Sequence, residues 1–132
     1  RAIDPASTTN RHPSWLAVEP QGIRQLLGWI RKNYNNPPVI ITENGCADPN
    51  KSEDNHKVDY HKKYLKAVLD AINDGCNVKG YTVWSFLDSF EWDCGYTEKF
   101  GLYHVDFEDP KRPRTPKKSA VFYKEFLKTK CI

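Results

Sequence analysis

Two short β-branched runs, Val39-Ile40-Ile41-Thr42 and Tyr81-Thr82-Val83-Trp84, each stand behind an amphipathic helical pattern. Before the first, Ile23, Leu26, Leu27 and Ile30 fall at i, i+3, i+4 and i+7, with Arg24, Gln25, Arg31 and Lys32 between them. That spacing predicts a helix entered through Glu19-Pro20-Gln21-Gly22 and ended by Asn35-Asn36-Pro37-Pro38. Before the second run, Tyr60, Tyr64, Leu65, Val68, Leu69 and Ile72 predict a helix from Val58 that stops at Asp74-Gly75. Strands alternating with helices imply a parallel sheet in an α/β fold. Two core strands can neither close a barrel nor bury both faces of an open sheet. The expectation is an incomplete sheet whose remaining strands lie upstream.

Beyond the second strand, residues 85–100 read as a long aromatic loop, and Gly101 to Phe107 alternates like a further strand turned by Asp109-Pro110. Ala120, Tyr123, Phe126 and Leu127 then predict a helix over 119–128. The 132 residues contain no methionine and open on Arg1 and a polar, Pro-containing run to Pro13. That run has no apolar h-region or small-residue cleavage site and is not a signal peptide. The expectation is a processed product or a fragment cut in a loop.

A hydrophobic content of 39% and a charged content of 28% are ordinary for globular chains and argue against disorder. No apolar run approaches the roughly 18 residues of a membrane span. The 20 basic and 17 acidic residues are scattered along the chain. The basic cluster Lys111–Lys118 follows directly on Asp106, Glu108 and Asp109, which predicts a solvated loop rather than a nucleic-acid patch. Cys46, Cys76, Cys94 and Cys131 show no CxxC spacing, so no zinc or redox motif is expected, although two disulfides are arithmetically open. The four histidines are dispersed and read as structural or surface groups; no metal or cofactor is implied.

Two acidic residues stand just past strand ends, where α/β proteins gather their active sites. Glu43 follows the first strand within Ile41-Thr42-Glu43-Asn44-Gly45, and Glu91 follows the second between Phe90 and Trp92. Taken alone, a Glu before Asn-Gly at a strand end is better explained as a turn residue or helix cap. Trp84, Phe86, Phe90 and Trp92 alone would read as core. Acid and aromatics recurring at consecutive strand ends suit a sugar, whose C–H faces stack on indole and whose hydroxyls need fixed charged acceptors.

The Ile41–Gly45 segment is similar to the nucleophile signature of glycoside hydrolase family 1, the family of β-glucosidases, lactase-like enzymes and myrosinases. Gly80 to Trp92 (Gly-Tyr-Thr-Val-Trp-Ser-Phe-Leu-Asp-Ser-Phe-Glu-Trp) resembles that family's glycone-binding segment. Phe100 to Phe107 and Arg112 to Lys117 resemble its closing stretch. The resemblance covers essentially the whole chain in order, and its wording looks like that of animal, especially insect, members.

It implies that residues 1–132 are the C-terminal portion of a single catalytic domain, contributing the last two βα units of a (β/α)8 TIM barrel. Such barrels take roughly 250 residues, so this length is incomplete on its own. It further implies retaining hydrolysis of O- or S-linked β-glucosides, with a small-molecule or oligosaccharide β-glycoside as the partner. Glu43 would be the nucleophile and Trp84 a platform under the glycone. Glu91 would accept from the O4 and O6 hydroxyls, Trp92 would donate to O3, and Phe100 would wall the C6 end. The acid/base glutamate of the family sits in an Asn-Glu-Pro motif after an earlier strand. Val18-Glu19-Pro20 lacks the Asn and follows no strand, so that partner is expected upstream of Arg1.

Ser89 stands where the family usually has Asn, and Cys94 where a small or polar residue is common; neither is expected to touch the carried-over roles directly, while the change at Ser89 bears on the loop's hydrogen bonding. Cys46 is expected to shape the leaving-group side. A catalytically silent binding or co-receptor module is the rival reading, and the intact Glu43 argues against it. The Asn50-Lys51-Ser52 sequon and the family's digestive members imply secretion, with a cytosolic homologue as the alternative.

Overall fold

Helix α1 spans Pro20–Asn33, with proline in its first turn, where a missing N–H costs nothing, and Arg31 and Lys32 in its last, where cations face the helix dipole. The computed structural model describes residues 17–48 and 53–132, so the opening run and the Asn50 sequon lie outside the described residues. After α1 the chain reverses at Asn35 and Asn36, whose positive φ values of 57° and 52° suit asparagine better than bulkier side chains. Asn36 also anchors the turn across the fold, accepting from the Asn77 N–H at 3.0 Å and donating to the Gly75 carbonyl at 3.0 Å.

Strand β1 (Val39–Ile41), helix α2 (Asn55–Asn73) and strand β2 (Val78–Tyr81) complete the expected alternation. The two strands pair in parallel, with Ile40 opposite Gly80 and Ile41 opposite Tyr81. Helices α1 and α2 cover one face of this pair. Leu27, Val68, Ala71 and Cys76 form the core there, with Ile23, Val39, Ile41, Val78 and Tyr81 packed against it. Ile40 points the other way and is 64% exposed. A strand apolar on both faces belongs between two layers, and only one layer is present among the described residues.

Three boundaries differ from expectation. Helix α2 begins three residues early, at Asn55, because Asp54 opens it from a buried position. Strand β2 is Val78–Tyr81 rather than 81–84. Beyond Tyr81 the backbone pairing with the β1 segment slips by one residue and the regular ladder ends, while the Thr82 hydroxyl lies against the carbonyls of Ile41 and Thr42. The third strand shortens to β3 (Tyr103–Val105) and pairs antiparallel with β4 (Arg114–Pro116), which the proline-rich sequence conceals. Helix α3 (Lys118–Thr129) closes the chain. The result is a small α/β unit with no closed barrel among the described residues.

The basic stretch 111–118 is only partly the solvated loop expected of it. Residues 111–116 are exposed, but Lys117 is fully buried with its ammonium 2.8 Å from the Asp88 carboxylate. All four cysteines are free thiols, and Cys46 and Cys76 sit in separate cores, so the open possibility of two disulfides is not realised. Among the described residues no helix is long and apolar enough to cross a membrane, and no cluster of His, Cys, Asp and Glu is arranged to hold a metal ion.

Candidate active site

The loops after β1 and β2 leave their strands side by side, and hydrogen bonds besides those of the Thr82 hydroxyl hold them together. The Thr82 N–H donates to the Ile41 carbonyl at 2.9 Å, the Trp84 N–H to the Asn44 carbonyl at 2.9 Å, and the Tyr81 hydroxyl to Asn44 Oδ1 at 2.7 Å. The approach is close enough to dictate residue 45. A Cβ on Gly45 would lie 1.5 Å from the Trp84 carbonyl oxygen, so only glycine fits. The Trp84–Ser85 peptide is cis.

From Ser85 the chain runs out and back. The Ser85 N–H donates to the Phe100 carbonyl at 3.2 Å, and the Leu102 N–H to the Ser85 carbonyl at 2.9 Å. At the tip a 3-10 turn over Trp92–Cys94 is closed by Gly95, whose positive φ of 58° again suits glycine. The base of the loop rests on buried charge. Asp88 is held by Lys117, by the Gly101 N–H at 2.9 Å and by the His104 ring at 3.1 Å. On α2, the fully buried Lys57 donates to the carbonyls of Lys99 and Gly101, both at 2.9 Å, and so clamps the backbone on either side of Phe100. Burial, reinforced by the nearby charge of Lys117, lowers the Lys57 ammonium to about 8. Asp54, 3.8 Å from Lys57, accepts from the Ser119 N–H and hydroxyl and ties this base to α3.

These supports surround one cleft of about 870 Å³, within the size range of small-ligand sites. Glu43, Trp84, Glu91, Trp92 and Phe100, all five expected site residues, line it together. Glu43 and Trp92 are exposed, Glu91 is half-buried, Trp84 is 38% exposed, and Phe100 is buried in the wall. Glu98 and Asp93 add two further carboxylates, and no lysine or arginine is among the described lining residues.

Tyr60 and Tyr64 also line the cleft, although their helical spacing reads as core. They do both jobs, stacking on each other at 4.3 Å while burial raises both phenols above their ordinary range. The Tyr64 hydroxyl accepts from the Glu19 N–H at 3.0 Å, which leaves Glu19 as the exposed residue capping α1, away from the cleft lining. The i, i+4 tyrosine pair was the available signal.

Two expectations are corrected. Cys46 is fully buried, packs on Tyr60 and Tyr64 behind the cleft and does not line it; burial pushes its thiol up to about 12. Ser89 does touch one of the expected site residues, since its hydroxyl donates to Glu91 Oε1 at 3.0 Å. Cys94 is in the cleft lining.

The sequence pattern of glycosyl hydrolase family 1 matches residues 3–132. Myrosinase 1 of Brevicoryne brassicae is 43% identical over 129 residues, covering 97% of this chain and 28% of that protein. Among solved structures, an aphid myrosinase superposes with a TM-score of 0.89 at 44% identity, over 96% of this chain and 28% of its own. A mutant of the rice Os3BGlu6 β-glucosidase, in a covalent complex with Glc from GA4GE, superposes at 0.81 with 42% identity, over 87% and 26%. The chain thus spans little more than a quarter of the length of these relatives. A match running from residue 3 to the last, with the same fold beneath it, makes this chain a member of glycosyl hydrolase family 1.

Proposed function

We propose that residues 1–132 are the C-terminal portion of a retaining β-glucosidase-type catalytic domain, supplying the last two βα units of its (β/α)8 barrel. The observation that carries this is the meeting of Glu43, Trp84, Glu91, Trp92 and Phe100 in one cleft. The coverage of about a quarter of each relative and the bare outer face of Ile40 agree with a partial barrel.

In this reading Glu43 attacks the anomeric carbon and forms a glycosyl-enzyme, which water then hydrolyses. The covalent glucose complex of the rice relative supports that course. Trp84 lies under the glycone; Glu91 accepts from O4 and O6; Trp92 donates to O3; Phe100 walls the C6 end. The carboxylates of Glu43, Glu91, Asp93 and Glu98, with no facing cation among the described lining residues, favour the positive charge that develops on the sugar in an oxocarbenium-like transition state. The acid/base carboxyl group, about 5–5.5 Å from the nucleophile in retaining enzymes, comes from outside these residues. Substrates are O- or S-linked β-glucosides.

The test is covalent trapping in the full-length protein with a 2-deoxy-2-fluoro-β-glucoside. The label is expected on the peptide containing Glu43, and Glu43→Gln is expected to abolish both labelling and turnover. Label on any other residue, or undiminished turnover by the variant, would overturn the assignment.

A further inference from the structure

Glu91 reaches the cleft from a rigid base. Asp88 is fully buried and held by Lys117, His104 and the Gly101 N–H, and its own N–H donates to the Tyr103 carbonyl at 3.0 Å. From there the chain alternates. Ser89 is half-buried; Phe90 swings outward, 63% exposed, with its ring edge-on to Tyr96 at 5.4 Å; Glu91 turns back to the cleft. Ser89 and Glu91 therefore share a side, and the Ser89 hydroxyl donates to Glu91 Oε1 at 3.0 Å. The backbone of Glu91 is clipped separately, its N–H donating to the Gly95 carbonyl at 2.7 Å and its carbonyl accepting from the Cys94 N–H at 2.9 Å.

A glutamate has three rotatable side-chain bonds, and a lone backbone clip leaves all three free. A donor on one carboxylate oxygen selects a single rotamer and leaves the other oxygen to accept from a ligand. We infer that Ser89 is a positioning residue, tying Glu91 Oε1 to the buried Asp88 base and presenting Oε2 to the sugar's hydroxyls. The inference rests on the proposed reading of Glu91 as a glycone-binding residue. It assigns the gain to binding geometry, because the bond orients the Glu91 carboxylate and Ser89 itself does not line the cleft.

The experiment is a double-mutant cycle in the full-length protein, read as kcat/KM on 4-nitrophenyl β-glucoside and on its 4-deoxy and 6-deoxy analogues. Removing a hydrogen bond to a charged group costs on the order of tenfold, so Ser89→Ala is expected to lose about that on the parent glucoside. Ser89→Thr, which keeps the hydroxyl, should restore most of it. The loss should shrink on the deoxy analogues and vanish in a Glu91→Ala background. An equal loss in that background, or a Ser89→Ala variant with unchanged kcat/KM, would overturn the inference while leaving Glu91 in its role. A Glu91→Ala variant with full activity would instead overturn the reading beneath it, and the inference with it.

Discussion

Gly45 shows how narrowly a site of this kind is specified at the level of single residues. The Trp84 carbonyl occupies the space a Cβ would need, and the Asn44 carbonyl next door receives the Trp84 N–H. The segment bearing Glu43 and the segment bearing Trp84 are therefore pressed together at this one residue. Gly45→Ala is expected to push Trp84 away from Glu43. Overpacking of this sort typically costs about 1–3 kcal/mol of stability. The functional loss should exceed what that implies, because the indole moves relative to the carboxylate. Intrinsic tryptophan fluorescence and kcat/KM of the full-length variant check this together; unchanged values for both would show that the loops separate without consequence. Gly45 is the residue that this backbone contact demands, and Glu43 was legible in the sequence through the resemblance of Ile41–Gly45 to the family's nucleophile signature. Ser89 was legible only as a departure from the family's usual Asn, because its bond to Glu91 has no periodicity or spacing to announce it.

At the scale of elements, the aromatic loop is held by buried charge rather than by an apolar core. Asp88 in the loop and Lys117 before α3 are 29 residues apart in sequence, both fully buried and 2.8 Å apart. Removing one partner of a buried ion pair strands the other, which typically costs 3–5 kcal/mol. Lys117→Met is therefore expected to destabilise the full-length protein by about that much, measured by denaturant unfolding. A compensating Asp88→Leu in the same chain should recover part of the loss. Recovery would mark the pair as an electrostatic lock; an additive loss would mean that Asp88 acts chiefly through Gly101 and His104. This element-level support explains what sequence reading could and could not reach. Helices α1, α2 and α3 follow from apolar spacing, and β1 from its β-branched run. The regular ladder of β2 ends at Tyr81 because the pairing slips by one residue between the Thr82 N–H on the Ile41 carbonyl and the Trp84 N–H on the Asn44 carbonyl, a tertiary irregularity that the β-branched pattern of 81–83 masks. Lys117 sat in a run of exposed cations, and only its distant partner distinguishes it from them.

For the whole molecule, the pattern of burial says what the described residues lack. The helices cover one face of a two-stranded sheet, while Ile40, Leu26, Trp29 and Phe86 remain 64%, 54%, 51% and 65% exposed. A two-stranded sheet with open edges invites pairing with other strands, and apolar groups spread over both sides invite association. Among the described residues the cleft gathers four carboxylates, two indoles and a phenylalanine from the loops after β1 and β2, with two tyrosines of α2 beside them. On the proposed mechanism Glu43 alone cannot protonate a leaving group, and general acid assistance is worth roughly 10²–10⁴-fold. Residues 1–132 expressed alone are therefore expected to associate in solution and to show no turnover of 4-nitrophenyl β-glucoside under conditions in which the full-length protein is active. Sedimentation and a chromogenic assay on the same preparation check the two halves of this prediction. Turnover by the isolated chain would mean that it supplies its own acid, from Glu91, Asp93 or Glu98 in the cleft, and would remove the case for an upstream partner.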